Sequence, residues 1–159
     1  MRKLPIVYLA LISTCFLFGC NEPETTASRS QEGTKTQYDS ILDYFNTRQH
    51  LKLNESFTKL FVVTENGCMP CNKKFLNLVK ENLADTSAAF VIGVSGNYFD
   101  IAELKSSKNI FMDQSILETG YQLFHRSKII YLKHKNIDTI ITIDARQIEE
   151  QFNIIKNRH

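Results

Sequence analysis

Apolar positions along the chain fall into two patterns. Unbroken runs rich in β-branched and aromatic residues predict buried strands: Leu60-Phe61-Val62-Val63-Thr64, then Ala88-Ala89-Phe90-Val91-Ile92-Gly93-Val94. Apolar residues three and four apart predict helices. Tyr38, Ile41, Leu42, Tyr44 and Phe45 place an amphipathic helix over residues 37–48, and Phe75, Leu76, Leu78, Val79 and Leu83 place another after Cys71. Downstream, Ser95-Gly96-Asn97 predicts a turn, residues 98–105 a short helix and residues 109–113 a short third strand. Leu117, Tyr121 and Phe124 predict a helix over 116–124. Two β-rich runs, 128–132 and 137–143, flank Lys133-His134-Lys135-Asn136 and predict a hairpin. A C-terminal helix is predicted over 144–156, with Asp144 as N-cap and Ile148, Phe152 and Ile155 facing inward. The order of elements is that of an α/β domain: a central mixed sheet of about four to five strands flanked by helices.

Composition divides the 159 residues into three parts. Residues 21–37 are rich in Glu, Thr, Ser, Gln, Arg and Lys and almost devoid of apolar side chains, so they read as a solvated tether. Before them, Arg2-Lys3 precede a mostly apolar stretch, 4–18, that is short for a membrane span. The stretch ends at Leu17-Phe18-Gly19-Cys20, which resembles the lipobox of bacterial lipoprotein signal peptides. That resemblance implies cleavage before Cys20, lipid attachment at Cys20 and a domain held outside the cytoplasm on the cell envelope, in the periplasm. The reading is therefore a signal peptide over 1–19, a tether over 20–37 and a domain over 38–159. An ordinary signal peptide or an uncleaved anchor is the competing reading of the first segment. The chain carries 19 basic and 17 acidic residues, and removal of Arg2 and Lys3 leaves 17 against 17. That balance gives no sign of a nucleic-acid partner.

With Cys15 in the leader and Cys20 carrying lipid, one cysteine pair remains, Cys68 and Cys71. A bridge across two residues closes a very small loop and constrains the unfolded chain little, so a purely structural role is a poor use of it. Cys68-Met69-Pro70-Cys71 lies after strand and turn, at the opening of a helix. Free N–H groups and the partial positive charge of a helix N-terminus stabilise a thiolate and lower its pKa. Pro70 suits the first helical turn, where its missing N–H costs nothing.

These residues and the order of elements resemble the thioredoxin-like superfamily, in particular its membrane-anchored extracytoplasmic branch related to thiol-specific antioxidant domains. The resemblance is specific at Cys68-Met69-Pro70-Cys71, and the insertion around 110–124 also matches that branch. It implies a thiol–disulfide oxidoreductase in which Cys68 attacks and Cys71 resolves, with Met69 and Pro70 supporting the pair. Its implied partners are protein disulfides or dithiols and a membrane electron donor, with reduction the favoured direction. No dissociable cofactor is implied.

The sequence departs from that family at three places. Gly67 stands where an aromatic residue precedes the first cysteine, and Val62 occupies the slot of a buried acid. None of the three prolines, Pro5, Pro23 and Pro70, can supply the cis-proline that faces the disulfide. That slot falls near Ser127, which implies a different local shape or a non-proline cis bond. Glu65, the nearest acid, reads as a solvated turn residue, and Lys73-Lys74 as a solvated helix face. Zinc needs about four ligands, and one Cys pair supplies two. His125 and His134 are the histidines considered for the rest, each reading better as a surface residue, and no metal site is assigned. Asn72 after Cys71 excludes the haem attachment signature. Peroxiredoxins carry Pro and Thr where Phe61 and Glu65 stand, which weighs against peroxide reduction. The chief competing reading is a redox-inert thioredoxin-like lipoprotein that binds a protein or peptide.

Overall fold

A computed structural model of the protein describes residues 36–94 and 98–158. The leader, the lipobox cysteine, nearly all of the tether and the turn at 95–97 lie outside the described residues. Among the described residues, no helix is long and apolar enough to cross a membrane.

The first helix, α1 (Gln37–Arg48), starts at a reciprocal cap. The Thr36 hydroxyl accepts from the Asp39 amide at 3.1 Å while the Asp39 carboxylate accepts from the Thr36 amide at 3.0 Å. Strand β1 (Lys59–Thr64) follows, then α2 (Met69–Glu81) and β2 (Ala88–Gly93). β1 and β2 run parallel, with α2 as their crossover. A short β3 (Ile110–Met112) adds parallel to β2 at the edge. The chain then returns to the other side of β1 as an antiparallel hairpin, β4 (Lys128–Lys133) and β5 (Asn136–Thr142), before α3 (Ile148–Asn157). The result is a five-stranded mixed sheet in the order β3-β2-β1-β4-β5, an α/β architecture with helices as its cover.

The central strands are buried on both faces, which explains their unbroken apolar runs. Alternate residues of β1 enter different cores. Phe61 and Val63 join Phe75 and Val79 of α2, Phe90, Ile129 and Ile155 on one face. Leu60 and Val62 join Ile41, Tyr44 and Phe45 of α1, with Ile116 and Phe124, on the other. Gly93 ends β2 without a side chain because a Cβ there would stand 2.2 Å from Cγ2 of the buried Ile116.

Four local predictions need correction. The segment 116–124 is not one helix but two 3-10 turns, Ile116–Glu118 and Gln122–Phe124. Thr119 takes an extended backbone, φ −85° and ψ 158°, which ends the first turn, and its hydroxyl donates to the Ile116 carbonyl at 2.7 Å. In place of a helix over 98–105 the chain makes a 3-10 turn at Ala102–Ser106. The hairpin loop is shorter than four residues: β4 extends to Lys133 and β5 starts at Asn136. His134 and Lys135 make the turn alone, at φ 50° and 59°. Finally, Asp144 does not cap α3, which begins at Ile148 after Gln147. Asp144 instead accepts from the Arg146 amide at 2.8 Å. The Gln151 side chain bridges the join, accepting from the Asp144 amide at 3.0 Å and donating to the Thr142 carbonyl at 2.8 Å. Of the three α3 residues expected inward, Ile148 and Ile155 are buried and Phe152 is half-buried.

Candidate functional site

β1 delivers the chain to the site. Beyond Thr64 the loop passes through Gly67 at φ 98°, a conformation that favours glycine. This explains the missing aromatic residue before Cys68: a side chain at that position would be held in a left-handed backbone. Cys68 then serves as the N-cap of α2. Its sulfur accepts from the Cys71 amide at 3.3 Å, and its carbonyl accepts from the Asn72 amide at 2.9 Å. Pro70 lies within the first turn and is exposed, costing no helical hydrogen bond.

Cys68 and Cys71 form a disulfide, with sulfurs 2.07 Å apart and Cα atoms 5.2 Å apart. The two are unequally placed. Cys71 is buried in the α2-side core, whereas Cys68 and Met69 are partly exposed. The core around Cys71 is apolar, with Val63, Phe75, Leu76 and Val79 among its members. Val62, in the slot of a buried acid, belongs to the core on the opposite face of the sheet.

Ser127 packs against the end of β1 that leads to the pair. It is buried, immediately before β4, and its hydroxyl both accepts from the Thr64 amide at 3.0 Å and donates to the Thr64 carbonyl at 3.3 Å. The Ser127 carbonyl accepts from Ile143 at 2.9 Å. No peptide bond among the described residues is cis, so the alternative of a non-proline cis bond at Ser127 gives way to a trans backbone with a different local shape. A side chain here continues the β1–β4 contact one residue beyond its backbone ladder.

Asn72 is a positioning residue that the sequence reading passed over. It is buried and its amide donates to the Asn66 carbonyl at 3.2 Å, tying the first turn of α2 to the loop before Cys68. Its signal was available: Asn72, Phe75, Leu76 and Val79 share one helical stripe, and a polar residue on such a stripe needs a partner.

His125 places Nε2 2.8 Å from the Thr119 carbonyl, and His134 is exposed in the hairpin turn. Among the described residues, no three His, Cys, Asp or Glu side chains come together as a metal site would require. Lys73 and Lys74 are exposed, and Lys74 Nζ meets the exposed Glu149 of α3 at 2.9 Å. Such a pair contributes little in high dielectric. Glu65 is half-buried.

The arrangement can form and break a two-electron sulfur–sulfur bond at a helix N-terminus. No family model matches the chain, and neither a curated protein nor a solved structure matches it.

Proposed function

We propose that this protein is a lipid-anchored, thioredoxin-like thiol–disulfide oxidoreductase of the bacterial cell envelope. It exchanges disulfides with extracytoplasmic proteins through Cys68 and Cys71, chiefly as a reductant. In the reducing direction the Cys68 thiolate attacks one sulfur of a partner disulfide, and the other partner sulfur leaves as a thiolate and takes up a proton. The Cys71 thiolate then attacks the Cys68 sulfur and expels the second partner sulfur. The partner gains two electrons and Cys68–Cys71 becomes the disulfide. A membrane dithiol donor restores the pair. Run backward, the same steps oxidise a partner dithiol.

The observation that carries this reading is the inequality of the two sulfurs. Cys68 is the partly exposed cap of α2 and Cys71 is buried within the first turn. The outer sulfur suits attack and the inner one suits resolution. The thioredoxin-like assignment is supported by a parallel β1–α2–β2 unit with the pair at its turn and an antiparallel hairpin on the far side of β1.

A second reading, a redox-inert module that binds a protein or peptide, is favoured by one observation. Val62 belongs to the core on the other face, and the one buried acid among the described residues, Asp113, meets Tyr44 and Arg48 and not the Cys71 core. The two separate in an assay of insulin disulfide reduction driven by dithiothreitol, using the full chain. Exchange predicts catalysis by the wild type, loss in Cys68→Ser and a trapped mixed disulfide in Cys71→Ser. A wild type no faster than dithiothreitol alone supports the binding module instead.

A further inference from the structure

On the α1 side of the sheet, the start of β4 borders a cleft of about 880 Å³. Its walls include Ser40 of α1, Gln122 and Leu123 of the second 3-10 turn, Ile140 and Thr142 of β5, and Lys128. Register explains the grouping: Lys128 pairs with Thr142, and Ile140 lies two residues along the same face of β5.

Lys128 is the anomaly. It is 8 % exposed, yet no hydrogen bond or ion pair joins its ammonium to any described residue. Buried lysines are rare unless paired, because removing a cation from water is costly. The neighbouring charge is of the same sign, from Arg126, and burial together with Arg126 pushes the Lys128 pKa below the ordinary lysine value. No buried side-chain nitrogen or oxygen among the described residues is left without a partner, so the ammonium keeps some exposure to water, and Lys128 lines the cleft. Ser40, Thr142 and Gln122 line the same cleft as neutral polar residues, with Leu123 and Ile140 as apolar ones. The volume falls in the range of small-molecule sites, and a few convergent polar groups against an apolar wall is their usual make-up.

We propose that this cleft binds a small organic carboxylate, its charge anchored on Lys128 Nζ and its apolar part against Leu123 and Ile140. One ammonium with neutral hydrogen-bonding neighbours matches a single carboxylate. A phosphate, with three acceptor oxygens and about two charges, calls for more donors than this wall presents.

Hexanoate titrated into the full chain tests this, with the Lys128 13Cε resonance as the readout. Hexanamide and inorganic phosphate are the comparison ligands. The expected result is a saturable shift of Lys128 at millimolar hexanoate, absent with hexanamide and at least ten-fold weaker with phosphate. Lys128→Met, followed through the Ser40 and Thr142 amide resonances, loses hexanoate binding by ten-fold or more. Absence of a saturable shift at about 10 mM, well above the millimolar Kd of a weak site, overturns the proposal. So does an equal response to hexanamide, or binding that survives in Lys128→Met. If Lys128→Met fails to fold, the comparison of hexanoate with hexanamide on the wild type decides alone.

Discussion

The Ser127 hydroxyl occupies both backbone hydrogen-bonding groups of Thr64, accepting from its amide at 3.0 Å and donating to its carbonyl at 3.3 Å. Both residues are buried. The contact closes the end of β1 from which the loop to Cys68 departs, while Asn72 ties the far end of that loop through the Asn66 carbonyl. Ser127→Ala removes that partner and leaves Thr64 N–H and C=O buried. The expected cost is about 1–3 kcal/mol in urea unfolding. A loss under about 0.5 kcal/mol contradicts the assignment, because it means that another group or water satisfies Thr64.

Gly67 sets the direction in which the chain enters α2. At φ 98° its backbone is left-handed, and no heavy atom outside its neighbours lies within 4 Å of a Cβ placed there. Any penalty on substitution therefore comes from backbone strain and not from a clash. Gly67→Ala is expected to lower stability by about 1–2 kcal/mol, and Gly67→Trp to do at least as much. Thermal melts of the two variants check this. Equal stability of wild type and Gly67→Ala would mean that the loop relaxes to an ordinary φ.

Tyr44 predicts an alkaline limit. Its hydroxyl accepts from Gln49 at 3.0 Å and donates to the buried Asp113 at 3.2 Å. Burial, and then the Asp113 charge, push its pKa far above the ordinary 10.0. The unfolded chain releases this proton near pH 10 while the folded chain keeps it. Stability from Tyr44 is thus complete below about pH 10 and falls as pH rises toward the folded value. Tyr131 is also shifted upward by burial, against the opposing effect of Arg158, and adds a smaller fall of the same sign. Urea midpoints measured from pH 8 to 11 should decline more steeply for wild type than for Tyr44→Phe. At neutral pH that variant should be about 1–2 kcal/mol less stable.

The strands and long helices were legible because their patterns reflect burial. β1 and β2 are covered on both faces and read as apolar runs, while α1 and α2 show the three-and-four spacing of one covered side. The segment 116–124 misled because that spacing also fits two separate 3-10 turns. There Ile116 and Phe124 are buried and Leu117 is exposed, and the break falls at Thr119, whose backbone is extended. The hairpin turn lacked the glycine or asparagine that marks such loops, since His134 and Lys135 take the left-handed backbone themselves. At the site, the cysteine pair and its helix were readable from local sequence. Ser127 was placed only by counting from a missing proline, and its contact with Thr64 spans 63 residues. Lys128 carried no signal of burial at all, because a lysine opening a strand usually faces water.

The most direct test of the central claim is the reduction potential of Cys68–Cys71 in the full chain. It is titrated against a thiol redox buffer and read by alkylation and mass. The oxidoreductase account predicts a reversible two-electron transition between roughly −120 and −280 mV, near the low end for a reductant. A pair that never closes, or that stays closed throughout the buffer range, contradicts it.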